Sequence, residues 1–109
     1  MTVSEIAERL SLTPVSEADP TRECEGVYIG DLLSWVMGKA SSKNVWITIM
    51  SNINIVAVAT LTDVACIVLA EGVVPDEPVC TAAMQKGVNV YTTNLTAYEI
   101  AAELAKLPL

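Results

Sequence analysis

The sequence predicts an α/β fold with a mainly parallel sheet in which strands and helices alternate. The first observation is that short apolar runs alternate with capped helical segments from Val27 to the C-terminus. The second is the uninterrupted apolar run 64–70, which is typical of a parallel strand covered on both faces. The third is composition: 109 residues, 52% hydrophobic and 5% aromatic, allow one domain with an aliphatic core.

The first quarter of the chain predicts a helix, an edge strand, a loop and a strand. Thr2 and Glu5 have the spacing of a capping box ahead of helically spaced apolar residues. The segment 12–15 is expected to form a short edge strand, and the polar segment 17–25 a loop. The residues 27–29 then predict the first strand of the alternating series.

A short helix and a second strand are expected next. Asp31 is placed to cap a helix over 32–37, and Gly38 is placed to end it. The segment 45–49 has the composition of a strand.

The helix predicted over Ser51–Thr62, capped by Ser51 or Asn52, is apolar almost all the way round. A helix that packs one face on a sheet needs only an apolar stripe, so its second face should meet another element or another chain. We therefore expect a homodimer formed through this helix.

The last third continues the alternation. A buried strand is expected over 64–70, a helix from Pro75–Pro78 to Gly87, and a final strand over 88–91. The last helix should start at a second capping box, Thr96 with Glu99, carry a Leu95–Ile100 hydrophobic staple, and run to Leu107 before Pro108.

Composition also excludes whole classes of function. A net charge of -7 argues against nucleic acid and against anionic membranes as partners. The absence of histidine removes the usual hydrolytic triads and the commonest zinc ligand, so we expect no catalytic residues, no metal and no cofactor. Asp63 interrupts the most apolar stretch and argues against a membrane span. The first residues do not resemble a secretion signal, and a cytoplasmic protein is expected.

Three segments, 26–37, 46–48 and 67–72, resemble the DRTGG domain family, whose fold is similar to the N-terminal domain of HPr kinase/phosphorylase. The resemblance implies a regulatory or dimerising module, here of the small free-standing bacterial type. Met50-Ser51-Asn52 stands where the family has Gly-Asp-Arg, and Ala70-Glu71-Gly72 where it has Thr-Gly-Gly, so only Gly72 is shared. The chain also lacks a phosphate-binding loop, since Gly38-Lys39 is followed by Ala40.

The candidate site lies where the parallel strands end, because their carboxyl ends gather at one edge of the sheet. Helix N-termini point at the same edge, so backbone N–H groups there are expected to hold a small anionic ligand or a nucleotide. The alternative is that these residues only cap helices and form turns. The candidate ligand-binding residues are Gly30, Asp31, Ser51, Asn52, Glu71, Gly72, Thr92, Thr93 and Asn94.

Three functional hypotheses follow from these observations. The leading one is a non-enzymatic regulatory or scaffolding homodimer that senses a small anion and has a protein partner. The second is a nucleotide-binding or enzymatic subunit that uses Asp31, Glu71 and the turn Thr92-Thr93-Asn94. The third is a purely structural member of a larger complex. Arg22 is expected either to pair with a neighbouring glutamate or to reach a ligand phosphate.

Overall fold

The computed structural model describes residues 1–109 and contains five helices and five strands. None of the helices has the length and apolar character needed to cross a bilayer. The elements in chain order are α1 (Val3–Arg9), β1 (Thr13–Ser16), β2 (Val27–Ile29), α2 (Leu33–Lys39), β3 (Val45–Thr48), α3 (Asn54–Thr62), β4 (Cys66–Leu69), α4 (Pro78–Lys86), β5 (Val90–Thr92) and α5 (Ala97–Leu104).

The strands form one sheet in the order β1-β5-β4-β3-β2, which confirms the predicted α/β fold. The pairs β2–β3, β3–β4 and β4–β5 are parallel, and only β1 runs antiparallel, against β5. The carboxyl ends of β2 to β5 therefore lie along one edge, in chain order. The two outer strands are β2 and β1.

Side chains alternate between two cores on opposite faces of the sheet. On β3, Val45 and Ile47 face α1 and α5, while Trp46 faces α2, α3 and α4. The indole N–H of Trp46 donates to the carbonyl of Gly30 over 2.9 Å, so the largest buried side chain has its polar atom satisfied. Cys66, which lies in the run 64–70 that the sequence predicts to be a buried strand, is buried with the α1 and α5 layer.

Most predicted helix ends are confirmed, because their signals are local. Thr2 with Glu5, and Thr96 with Glu99, form complete capping boxes at the starts of α1 and α5. Gly87 ends α4 in the left-handed conformation that glycine adopts without a steric penalty.

Four predicted boundaries are wrong. Asp31 does not cap α2, whose N-cap is Leu32, and Gly38 lies inside that helix, which ends at Lys39 with Ala40 as its C-cap. The helix α3 begins at Asn54, with Ile53 rather than Ser51 or Asn52 as its N-cap. The helix α5 ends at Leu104, three residues before the predicted Leu107, and the chain continues as turns. At Asp31 the reason is tertiary, because its carboxylate accepts from Thr48 and Ile49 instead of from a helix N–H.

A buried amide ties the long polar loop to the sheet. Asn89 is almost fully buried, and its Oδ1 accepts from the N–H of Asp19 over 2.8 Å. Its Nδ2 donates to the carbonyls of Asp19 at 2.8 Å and Ala65 at 3.0 Å. One side chain therefore satisfies three backbone groups in segments that are distant along the chain.

Candidate functional site

The predicted site residues lie along the carboxyl edge of the sheet, spread over its four parallel strands. Gly30 and Asp31 follow β2, Ser51 and Asn52 follow β3, Glu71 and Gly72 follow β4, and Asn94 lies beyond β5. Neighbouring strands lie about 4.8 Å apart, so the span from the β2 turn to the β5 turn is about 15 Å. The residues form two groups rather than one site.

The chain changes faces between β4 and β5. The connection after β4 leads to α4, on the same face as α2 and α3, whereas the connection after β5 leads to α5 on the opposite face. Two adjacent parallel strands whose connections diverge create a crevice at their carboxyl ends, the usual ligand position in open α/β sheets.

A depression of about 220 Å³ lies beside this crevice. It includes four of the nine predicted residues and five that the sequence did not point to. The missed ones come from β1 and from the segment after Gly72, because the sequence pattern does not show that β1 pairs with β5. The lining residues are Thr13, Val15, Gly72, Val73, Val74, Pro75, Thr92, Thr93 and Asn94.

The lining combines polar and aliphatic side chains and contains no charged residue, in a chain with a net charge of -7. Thr13 and Thr92 are direct cross-strand partners, so their side chains lie on the same face of the sheet. Thr13 and Asn94 are exposed and Thr92 is half-buried, so the two hydroxyls and the side-chain amide of Asn94 are accessible from solvent. Thr93 Oγ1 accepts from the N–H of Leu95 at 3.2 Å, which leaves its O–H as a donor.

The backbone N–H groups expected to hold an anion are engaged elsewhere in the β4 turn. The N–H of Glu71 donates to the carbonyl of Leu95, and that of Gly72 to the carbonyl of Thr93, both at 2.8 Å. Both residues have left-handed backbones, with φ of 59° and 70°. The left-handed φ of Gly72 favours glycine, and a Cβ there would lie 2.9 Å from Asn94 Oδ1, so a larger residue would also displace the Asn94 side chain.

Asp31 connects the β2 and β3 turns instead of capping a helix. Its Oδ1 accepts from the hydroxyl of buried Thr48 and from the N–H of Ile49, both at 2.9 Å. Asn52 Oδ1 accepts from the N–H of Asn54, and the carbonyl of Ser51 accepts from Asp76, both at 2.9 Å. In this group the side chains of Asp31 and Asn52 form turns, as the alternative interpretation expects.

The two carboxylates considered for acid–base chemistry are far apart. Asp31 follows β2 and Glu71 follows β4, with β3 between them, so their strands are separated by about 10 Å. This spacing does not form a closely coupled carboxylate pair.

Arg22 lies away from the carboxyl edge. Its Nη2 contacts Asp63 Oδ1 at 2.7 Å and the Asp63 carbonyl at 2.8 Å, just before β4 begins. The partner is thus a distant aspartate rather than a neighbouring glutamate. The hydrogen bond from Ser42, followed by that from Arg22, lowers the pKa of Asp63 below its ordinary value.

No protein-family model matches this chain, and no curated protein matches it in sequence. In structure, the chain is similar to the CBS and DRTGG domains of the regulatory region of Clostridium perfringens pyrophosphatase, crystallised with its activator diadenosine tetraphosphate. The TM-score is 0.73 at 16% identity, over 98% of this chain and 47% of that one. The chain spans about half the length of that solved chain, and the likeness shows the α/β fold.

Proposed function

We propose that this protein is a non-enzymatic regulatory module that binds a small anionic metabolite or nucleotide fragment at the carboxyl edge of its sheet. The observation that carries this proposal is the uncharged depression beside the β4–β5 crevice, which is lined by the solvent-accessible hydroxyls of Thr13 and Thr92 and the side-chain amide of Asn94. The solved structural neighbour is itself a regulatory region bound to a nucleotide activator, which supports the proposal at the level of the fold.

The enzymatic alternative has less support. Asp31 uses its Oδ1 to hold Thr48 and Ile49, and Glu71 lies two strands away. The side chains lining the depression are hydroxyl, amide and aliphatic groups, which are weak acids and bases without an activating partner. Recognition by neutral donors therefore fits this surface better than proton transfer does.

The size and charge of the depression restrict the ligand. A volume of about 220 Å³ lies below the range of about 300–1,000 Å³ typical of drug-sized ligands, so a whole dinucleotide would not fit. No Lys or Arg lines the depression, and the net charge is -7. We expect a singly charged metabolite, or one phosphate or carboxylate end of a larger molecule, held with modest affinity.

A thermal-shift screen of nucleotides, acyl phosphates and inorganic phosphate tests this assignment. A ligand at a hundred times its Kd adds about 2.7 kcal/mol of stability and a clear rise in Tm. The rise should disappear in Thr92→Val, which keeps the shape and removes the hydroxyl. Thr81→Val on α4, where the residue is exposed and outside the lining, is the matched control. Shifts that persist in Thr92→Val, or no shift with any compound, would reject the site.

We further propose that two copies associate through α3. This helix contains no charged residue, and both its N-cap Ile53 and Leu61 within it are exposed, the latter by 71%. With Ala57, Thr60 and residues of α4, they line an apolar groove of about 340 Å³. A second copy is the favoured occupant because two chains of charge -7 approach best through a surface without acidic residues, and the only charged residue lining this groove is Lys86.

Sedimentation equilibrium at micromolar concentration distinguishes dimer from monomer. Leu61→Glu should shift the protein to monomer, because it buries a carboxylate at the centre of the interface. Tyr98→Glu, equally a charge at a highly exposed position but on α5, should leave the dimer intact. A monomeric wild type, or a dimer insensitive to Leu61→Glu, would exclude this interface.

A further inference from the structure

The outer strand β2 presents a surface of a different kind from the ligand depression. We propose that β2 is a docking edge for an extended segment of a partner protein. The segment adds a strand beside β2, places alternate apolar side chains in the adjacent groove, and carries basic residues at its ends. This proposal is independent of the ligand site and of α3.

The backbone of β2 has hydrogen-bonding groups without partners. In the parallel register with β3, the carbonyl of Gly26 accepts from Val45, and the N–H of Gly30 donates to Ile47. This register directs the backbone N–H and C=O of Tyr28 toward β3, and it directs those of Val27 and Ile29 away from the sheet. Because β2 is the last strand in the order, no other strand covers them.

An apolar groove runs beside these groups. Val27 and Ile29 are 37% and 49% exposed, although they are apolar residues of the sheet. Together with the C-terminal part of α5 they line a groove of about 320 Å³ in which seven of the eight residues are hydrophobic. A strand that pairs with β2 has every second side chain pointing to this face, so backbone pairing and apolar contacts are available together. The groove residues are Gly26, Val27, Ile29, Ala101, Leu104, Ala105, Leu107 and Leu109.

Charge at the strand ends favours a basic partner over a second copy. Glu25 precedes β2 and Asp31 follows it, and both are exposed. Lys43 Nζ approaches Glu25 at 3.9 Å, a distance that gives an exposed pair little energy. Antiparallel pairing of two β2 strands about Tyr28 would set Glu25 opposite Asp31 of the other copy, which is repulsive. A segment with lysine or arginine at each end meets an opposite charge there.

Titration with a synthetic peptide tests this proposal. The peptide alternates valine and threonine between two lysine pairs, and a control replaces the lysines with glutamates. Amide NMR of the full chain should show saturable shifts at Val27 and Ile29, with hydrogen exchange at both amides slowed at least about tenfold under saturation. The acidic peptide should bind at least about tenfold more weakly at low salt. In a paired peptide strand, either the valine amides or the threonine amides face β2. Backbone N-methylation of the set that faces β2 should abolish binding, and N-methylation of the other set should not.

Two variants localise the binding to the edge and the groove. Ile29→Pro removes an N–H that points away from the sheet, and Ala105→Lys places a positive charge in the groove; each should weaken the lysine peptide at least about tenfold. Gln85→Lys, which adds the same charge on exposed α4, should not. Circular dichroism and Tm of each variant establish that the fold is retained.

Three results would overturn the proposal. The first is absence of binding by the lysine peptide, and the second is binding that the two edge variants do not weaken. The third is slowed exchange of Val27 and Ile29 that increases with protein concentration in the absence of peptide. That third result would assign the edge to a second copy of this chain.

Discussion

The two outer strands of the sheet differ in whether their free edges can pair with another strand. On β1, Pro14 has no N–H to offer, and a bulge interrupts the pairing between Pro14 and Ser16. The strand β2 has neither proline nor bulge, and it carries two exposed apolar side chains. An edge that is blocked and an edge that is open therefore lie on opposite sides of one small sheet.

Side chains contribute to closing the β1 side. The thiol of Cys80 on α4 donates to the carbonyl of Val15 at 3.0 Å, and Ser16 Oγ donates to the carbonyl of Val88 at 2.8 Å. Asn89 then holds the loop that follows β1. Such contacts oppose pairing with foreign strands, whereas β2 is protected by its short length and by the acidic residues Glu25 and Asp31 at its ends.

The largest loss in the free energy of unfolding is expected for Asn89→Ala, which releases the loop that follows β1. The change leaves the carbonyl of Ala65 without this partner in buried surroundings and the N–H and C=O of Asp19 without it in partly buried surroundings, at a cost of about 3 kcal/mol. Urea unfolding measures this loss, and proteolysis should begin in the loop 17–25.

Asn44 is the matched residue on the β2 side. It accepts from the N–H of Ser41 and donates to the carbonyl of Glu25, both at 2.8 Å, but in exposed surroundings. Water replaces these bonds, so Asn44→Ala should cost about 1 kcal/mol. Equal losses for the two asparagines would contradict the difference drawn between the two edges.

An intermediate loss of stability is expected for Asp31→Ala, which removes the hydrogen bonds that connect the end of β2 to the end of β3. Thr48 Oγ and the N–H of Ile49 lose their acceptor, and Thr48 is buried, so we expect a loss of about 1–2 kcal/mol in urea unfolding. A simple helix cap would respond to Asp31→Ser with little change. In this structure serine is too short to reach Ile49, and Asp31→Ser should behave like alanine.

These residues show which features a sequence reveals. Both capping boxes and the Gly87 helix end follow from neighbours within four positions, and they were predicted correctly. The partner of Asp31 lies seventeen residues away and that of Arg22 forty-one, so local spacing favoured a cap and a nearby glutamate.

In the candidate site, too, features set by local sequence were predicted and those set by distant partners were not. Gly72, Thr92, Thr93 and Asn94 were predicted from the carboxyl-edge argument, and the structure places them in one depression. Thr13 was missed because a four-residue strand carries no signal that it pairs with β5 across about eighty residues of chain.

A smaller effect, dependent on pH, is expected from Tyr91 beside β1. Its hydroxyl donates to Glu17 Oε2 at 2.8 Å, and burial, followed by that hydrogen bond, raises the pKa of Tyr91 above its ordinary value of 10.0. The folded state thus favours the protonated phenol. The contribution of the protonated Tyr91 phenol to the free energy of unfolding is therefore complete below pH 10, and it is lost as the pH rises above 10.

Tyr91→Phe should cost about 1 kcal/mol at neutral pH and reduce the alkaline loss of stability. Exposed Tyr98→Phe is the control and should change neither. Urea midpoints from about pH 8 to about pH 11 measure both effects. An alkaline loss unchanged in Tyr91→Phe would assign it to another group.

The smallest effect is expected at β2 itself, where threonine substitutions on the two edges give a matched pair. Val15 on β1 is half-buried against the α2–α4 layer, so Val15→Thr should cost about 1 kcal/mol by placing a hydroxyl in apolar packing. Ile29 is 49% exposed, and threonine suits a strand almost as well as isoleucine, so Ile29→Thr should change stability by less than about 0.5 kcal/mol. An apolar residue that the fold does not need for stability is available for binding. A loss at Ile29 as large as that at Val15 would instead assign it to the folding core and weaken the case for an open edge.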